Sequence, residues 1–302
     1  MDSVNFDRAA AFYDATRALP DESMARLTDL LAAELAGRQP CLEIGVGSGR
    51  FALPLRARGI TIVGTDISGA MLRRLAANAG GRSPLPLAQA DATAQPLRAQ
   101  AFGSVLAVHV LHLIPGWRLA VDEAMRVLRP GGALIASFPT DNRPVPSPGA
   151  DPAPGDGPEA ARTAEAAAAS GVLSPGDALG MTRDAAAPWA GAIREAARRH
   201  GMARVPIGAS DPAAVAAYLD GRAVARQLEP VPVRSSTTLG GAIESIDRQL
   251  FSWTWPYTAE QAAAVAADVR AWAERQNLPL DTAHATETAS RWWSFERPAA
   301  VR

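Results

Sequence analysis

Glu43 stands two residues ahead of three alternate glycines, Gly45, Gly47 and Gly49, in the stretch CLEIGVGSGRF from Cys41 to Phe51. Glycines let a backbone take positive φ and come within contact distance of a bound molecule. Two more acidic residues close the next apolar runs: Asp66 ends ITIVGTD and Asp91 ends LPLAQAD. If these runs are neighbouring parallel strands, the carboxylates gather outside the carboxyl ends of one sheet, where such sheets bind ligands. A carboxylate at Glu43 gains nothing against a pyrophosphate but holds a cationic or amino group. Asp66 can accept from both hydroxyls of a ribose, and Asp91 from the exocyclic amino group of adenine. The set suits a phosphate-free ligand with an amine, a ribose and an adenine.

The elements that must position these groups follow from hydrophobic periodicity. Residues 21–37 place Met24, Leu27, Leu30, Leu31 and Leu35 on one helical face, with Gly37 as the stop. Strands then alternate with helices. CLEIGV, ITIVGTD, LPLAQAD, SVLAVHVLHL and ALIASF read as strands, and GRFALPLRARG, SGAMLRRLAANAG and WRLAVDEAMRVLRPGG as helices. That order predicts right-handed βαβ units and a mostly parallel sheet covered on both faces, an α/β Rossmann-like doubly wound core over residues 1–145.

After Phe138 the texture changes. PTDNRPVPSPGADPAPGDGP reads as a proline-rich connector, and the alanine-rich segments between 159 and 225 as helices. Residues 146–225 are therefore expected to form a helical insertion after the fifth strand, a candidate substrate lid. Trp189, Tyr218 and Arg222 are its candidate contacts. Residues 226–302 are expected to return strands and a long helix that complete the sheet, TETASRWWSFE being the last strand. In FSWTWPY, extended geometry would put Trp253, Trp255 and Tyr257 on one face, either an aromatic wall for an apolar substrate or core filling.

LEIGVGSGRF, TDIS, QADATAQPL, VHVLHLI and RVLRPGGALIASF, in that order over residues 6–138, resemble the class I S-adenosylmethionine-dependent methyltransferases of the small-molecule branch. The resemblance implies a seven-stranded sheet with its last strand antiparallel, and S-adenosyl-L-methionine as cofactor. It implies that Glu43, Gly45, Gly47 and Gly49 cradle the methionine part and that Asp66 binds the ribose. Ile67 would pack on the adenine, Asp91 and Ala92 would meet its edge, and His109 would lie near the sulfonium. The leading segment FDRAAAFYDATRALP is also similar to this branch, which makes Tyr13 and Arg17 candidates for closing the site.

The sulfonium carries its own activation, so the protein need only align a nucleophile opposite the leaving sulfur. His109 and His112, three apart beside the expected site, are the candidate general bases. A magnesium site at Asp141 and Asn142 lacks a companion carboxylate after the fourth strand, where His109 stands, so no metal is expected. Two other readings stay open. One is a nicotinamide-dependent oxidoreductase, against which stand Glu43 and an arginine, Arg50, at the third glycine position of the dinucleotide pattern. The other is a non-catalytic binder of an adenosyl ligand.

Bulk composition excludes more than it selects. The 302 residues carry a formal charge of −1, all thirty Lys+Arg positions being arginine, so neither nucleic acid nor a membrane is an expected partner. The absence of lysine removes Schiff-base chemistry and a phosphate-loop lysine. Cys41, the one cysteine, reads as a small core residue. The longest apolar run, VLAVHVLHLI, is too short for a bilayer span of roughly 20 residues. A cytoplasmic monomer or homodimer acting on a small-molecule acceptor is the expectation.

Overall fold

In a computed structural model, residues 3–139, 187, 189–202 and 207–299 are described. The chain divides into two compact units. The first holds the described residues up to Pro139, those of 207–233 and those from Ser290 onward.

Its helices are α1 (Tyr13–Arg17), α2 (Asp21–Ala36), α3 (Ala52–Ala57), α4 (Gly69–Asn78) and α5 (Trp117–Val127). Its strands are β1 (Cys41–Ile44), β2 (Ile62–Asp66), β3 (Leu87–Gln89), β4 (Phe102–Val108) and β5 (Leu128–Ser137). In the second unit lie α6 (Ala190–Arg199), α8 (Leu239–Asp247) and α9 (Ala259–Arg275). The first unit also contains α7 (Pro212–Tyr218), β6 (Val224–Gln227) and β9 (Trp292–Glu296). The remaining strands, β7 (Val231–Thr238) and β8 (Ala283–Ser290), pair with each other as a ribbon.

One seven-stranded sheet runs β3-β2-β1-β4-β5-β9-β6, parallel from β3 to β5, with β9 antiparallel to both β5 and β6. The expected Rossmann-like, doubly wound sheet is therefore present. Successive residues of a strand face opposite ways, and both sets are apolar. Leu42, Ile44, Val105, Leu134 and Phe295 meet α5 and α7, whose Val121, Ala124 and Val215 are buried, as is Leu219 just after α7. Cys41, Leu106, Ile135 and Trp292 meet α2, α3 and α4. On α2 the fully buried apolar side chains are Leu27, Leu31 and Leu35, each contributing roughly 2 kcal/mol of burial. Met24 and Leu30 border that stripe. Trp292 and Trp293 pack on opposite faces, as alternation requires.

Four expectations need correction. First, the strand read through SVLAVHVLHL stops at Val108. His109 takes φ +47°, its N–H donates to Ser137 Oγ at 3.1 Å, and a 3-10 turn follows at Leu111–Leu113. Second, the helix begun at Trp117 ends at Val127, and residues 129–132, read from the sequence as a turn between helix and strand, are already part of β5. Pro130 disfavours a helical Arg129, and the chain turns straight into β5.

Third, part of the expected insertion belongs to the sheet: Val224–Gln227 is edge strand β6, with every residue exposed. Conversely, of the described residues expected to complete the sheet, only the end of β6 and β9 join it, while those of 234–289 belong to the second unit. The expected boundaries after 145 and 225 thus give way to two interleaved units. Fourth, FSWTWPY is not extended. Ser252–Thr254 is a 3-10 turn, Trp255 Nε1 donates to the Gln249 carbonyl at 2.9 Å, and Trp253 and Tyr257 pack against the second unit's core.

That second core gathers Trp189, Ile193, Leu239, Ile243, Val265 and Val269, so Trp189 is a packing residue. Tyr218 and Arg222, the other lid candidates, belong to the first unit and both bond Asp122 of α5 (2.6 and 2.8 Å). The connector, the alanine-rich segment 159–170 and the Asp141–Asn142 pair lie outside the described residues. Among the described residues, no helix is long and apolar enough to cross a membrane.

Candidate ligand-binding site

The parallel strands reverse their order between β1 and β4, and a crevice opens there at their carboxyl ends. Its first wall is the turn after β1. Gly45 and Gly47 take φ +65° and +55°. A Cβ at Gly45 would come within 2.6 Å of Val110 Cγ2, so no larger residue fits without moving the loop after β4. The turn is fastened to β2 by Asp66, whose Oδ2 accepts from Gly47 N–H and Oδ1 from Ser68 N–H, both at 2.8 Å. Ser68 in turn caps α4 by accepting from Met71 N–H at 3.1 Å. Burial raises the Asp66 carboxyl above the usual range against the pull of these two bonds.

Glu43 is 2% exposed, and its Oε2 is buried with no hydrogen-bond partner among the described residues. Burial pushes its carboxyl up to about 8, against the nearby positive charge of Arg50 and with Asp66 adding to the rise.

Asp91 lies two residues past β3 on the crevice wall, its Oδ1 accepting from both the N–H and the Oγ of Thr93 at 2.8 Å. Ile67 is steadied by its carbonyl, which accepts from Gln89 Nε2 at 2.9 Å.

The leading segment closes the crevice. Val4 N–H donates to the Leu113 carbonyl at 3.1 Å, and Asp7 accepts from Ser68 Oγ and from Ala70 N–H. Asp14 accepts from Ser48 Oγ, Arg74 Nε and Asn78 Nδ2. Phe6 and Tyr13 meet edge to face at 5.8 Å, and both line the crevice. The aspartates of this latch escaped notice in the sequence because short-chain acids on a surface helix look like solvated charges. Only their partners on the glycine turn and α4 reveal the role.

Tyr13, Gly45, Gly47, Asp66, Ile67, Asp91, Ala92 and His109, all named from the sequence, line one crevice. Four expected residues do not line it. Glu43 is buried in β1. Gly49 faces Leu53 and Leu75, Arg17 offers its carbonyl to Arg50 Nη1, and His112 sits in the 3-10 turn. The two histidines are therefore not presented as a pair, because the left-handed backbone at His109 breaks any shared helical face.

Burial, with Arg50 and Arg17 nearby, pushes the His109 imidazole down to about 3. A base with that affinity for protons is far from the working range of general-base catalysis. Its folded value lies below the unfolded one, so the stability tied to neutral His109 is present above about pH 6.5 and is lost as pH falls toward 3. Nitrogen-15 NMR of the imidazoles is expected to show His109 neutral at pH 5, a pH at which an ordinary histidine is charged. An inflection near 6.5 would contradict the buried setting.

A glycine turn fastened by a carboxylate at the end of β2, with a buried carboxyl two residues ahead of it, is the arrangement that the sequence pattern linked to a phosphate-free adenosyl ligand. Comparison with known proteins agrees. A family described as a methyltransferase domain matches residues 42–136. The phosphatidylethanolamine N-methyltransferase of Cereibacter sphaeroides is 31% identical over 140 residues, 45% of this chain and 68% of that one. An uncharacterised protein of Mycobacterium tuberculosis H37Rv is 33% identical over 120 residues, 38% of this chain but only 43% of its own length. The solved structure of a methyltransferase candidate from Bacillus halodurans C-125 shares the fold at a TM-score of 0.50, with 16% identity over 90% of this chain and all of that one. The chain belongs to the class I S-adenosylmethionine-dependent methyltransferases.

Proposed function

We propose that the protein transfers a methyl group from S-adenosyl-L-methionine to an O, N or C atom of a small molecule, by in-line displacement and without a metal. The observation that carries this reading is the buried carboxyl of Glu43, whose Oε2 has no hydrogen-bond partner among the described residues, two residues ahead of the glycine turn that lines a crevice with Asp66 and Asp91. A neutral acid raised to about 8 becomes a fitting counter-charge once a ligand ammonium arrives. The cofactor supplies an activated methyl on a sulfonium.

Everything else falls to this chain's own groups. Asp66 keeps lone pairs beyond its two amide bonds for ribose hydroxyls. Ile67 and Ala92 pack the adenine, and Asp91 meets its edge. Gly45 and Gly47 shape the cradle, and Tyr13 closes it. Neutral His109 touches the ligand near the reacting end and does not take a proton. Aligning the reacting atoms along one axis can supply on the order of 7–11 kcal/mol of the barrier. The balanced charge favours an uncharged or small acceptor over a polyanion, and the protein is read as a cytoplasmic monomer or homodimer. The relative from Cereibacter sphaeroides, named as an N-methyltransferase, supports the reaction type.

Incubating the full chain with methyl-labelled S-adenosylmethionine and a panel of phenols, amines and carbon acids tests the reading. Label transferred to one class is the expected result. Tight binding with no transfer across the panel would overturn the enzyme reading in favour of a non-catalytic adenosyl-ligand binder.

A further inference from the structure

β4 and β5 run side by side as far as the pair Val108–Ser137, and there the chain after β4 turns away. His109 makes the turn with φ +47°, a left-handed backbone that is uncommon and costly for a residue with a Cβ. Something must hold it there. Its N–H donates to Ser137 Oγ at 3.1 Å, so a side chain, not a strand carbonyl, satisfies the first amide past the ladder.

Ser137 is 2% exposed, and strand alternation puts it on the face of β5 that carries the apolar Ala133 and Ile135. Packing alone would favour a small apolar residue at that place, because a buried hydroxyl is costly unless it is bonded. Ser137 does not line the crevice, but the two residues beyond its hydrogen bond, His109 and Val110, both do. Val110 also lies close over the glycine turn, where a Cβ added at Gly45 would fall 2.6 Å from its Cγ2. Building on the adenosyl reading above, we propose that Ser137 is a positioning residue for methyl transfer, whose hydroxyl fixes the left-handed turn that sets the His109 imidazole in the crevice and seats Val110 on Gly45. Without that acceptor the His109 amide is stranded, and a right-handed backbone becomes the easier state. The imidazole then gains solvent, and Val110 leaves the glycine turn. One hydroxyl outside the crevice thus controls two of its walls.

Nitrogen-15 NMR of the imidazoles and calorimetric titration with S-adenosylhomocysteine, on the full chain with and without Ser137→Ala, test this. In the parent, burial with Arg50 and Arg17 nearby keeps the His109 imidazole neutral at about pH 5. In Ser137→Ala it is expected to be partly charged at that pH, and the affinity for S-adenosylhomocysteine to fall about tenfold. A glycine takes the left-handed backbone freely, so adding Ser137→Ala to His109→Gly is expected to cost at most about twofold in affinity. Melting of the ligand-free variants shows that each is folded. A serine that merely fills its strand would lower the melting temperature of Ser137→Ala and leave both the imidazole signal and the affinity as in the parent. That result in a folded variant overturns the proposal, and so does an equal loss of affinity from Ser137→Ala in the parent and in His109→Gly. A parent that does not bind S-adenosylhomocysteine overturns the adenosyl reading instead, while the imidazole signal still decides whether Ser137 holds His109 in place.

Discussion

Glu43→Gln is expected to bind S-adenosylhomocysteine on the order of 100-fold more weakly than the parent chain, and yet to be the more stable of the two when empty at pH 9. Both effects come from one buried oxygen. In the empty protein Glu43 Oε2 has no hydrogen-bond partner among the described residues, and the carboxyl is raised to about 8. The folded value lies above the unfolded one, so its contribution to stability is fully present below about pH 4.5 and is lost as pH rises through 8. The neutral amide of glutamine escapes that loss, so the stability gap between variant and parent should open between pH 5 and 9.

Binding works the other way. A ligand ammonium stabilises ionised Glu43, and removing one partner of a buried charge pair costs on the order of 3–5 kcal/mol. Below pH 8 the parent must therefore release a proton as the ligand binds. Titration in two buffers of different ionisation heat is expected to show that release for the parent and to show it diminished in Glu43→Gln. Equal proton counts for both chains would remove Glu43 from the role given to it.

Asp66→Ala is the second large effect, and it acts on fold and ligand together. Asp66 accepts the N–H groups of Gly47 and Ser68, and through them it sets the glycine turn against the start of α4. Truncation strands both donors in a buried place, at a cost of about 1–3 kcal/mol each if no other acceptor arrives. Relief of the carboxylate's own desolvation offsets part of this, so a net loss of about 2 kcal/mol is expected on chemical unfolding. Affinity for S-adenosylhomocysteine should fall by two orders of magnitude or more, since the ribose acceptor and the shape of the turn go together. Asp66→Asn keeps one acceptor oxygen and should lie between the parent and Asp66→Ala in stability. Parent-like binding by Asp66→Ala would show that the ribose is held elsewhere.

The first half of the fold was legible because its signals are local and mutually consistent. Apolar runs such as ITIVGTD and LPLAQAD end at acidic residues, helices intervene between strands, and a parallel sheet follows. The second half was not, for reasons visible in particular residues. Val224–Gln227 has no alternation to betray a strand, because an edge position buries neither face. AHATETAS and WWSFE are separated by Arg291 alone, but only the second joins the main sheet, a choice that long-range pairing makes. Three aromatics in FSWTWPY fit a strand or a turn equally well until Trp255 finds the Gln249 carbonyl. In the site, the glycines and acids were readable from spacing. The left-handed backbone of His109 and the complete burial of Glu43 depend on neighbours brought in from distant segments.

A crystal structure of the full chain grown with S-adenosylhomocysteine is the most direct check. The account requires ribose hydroxyls against the Asp66 carboxylate, adenine between Ile67 and the loop at Asp91, and the amine over Glu43. Density for the compound outside this crevice, or an adenine pointing away from that loop, would contradict it.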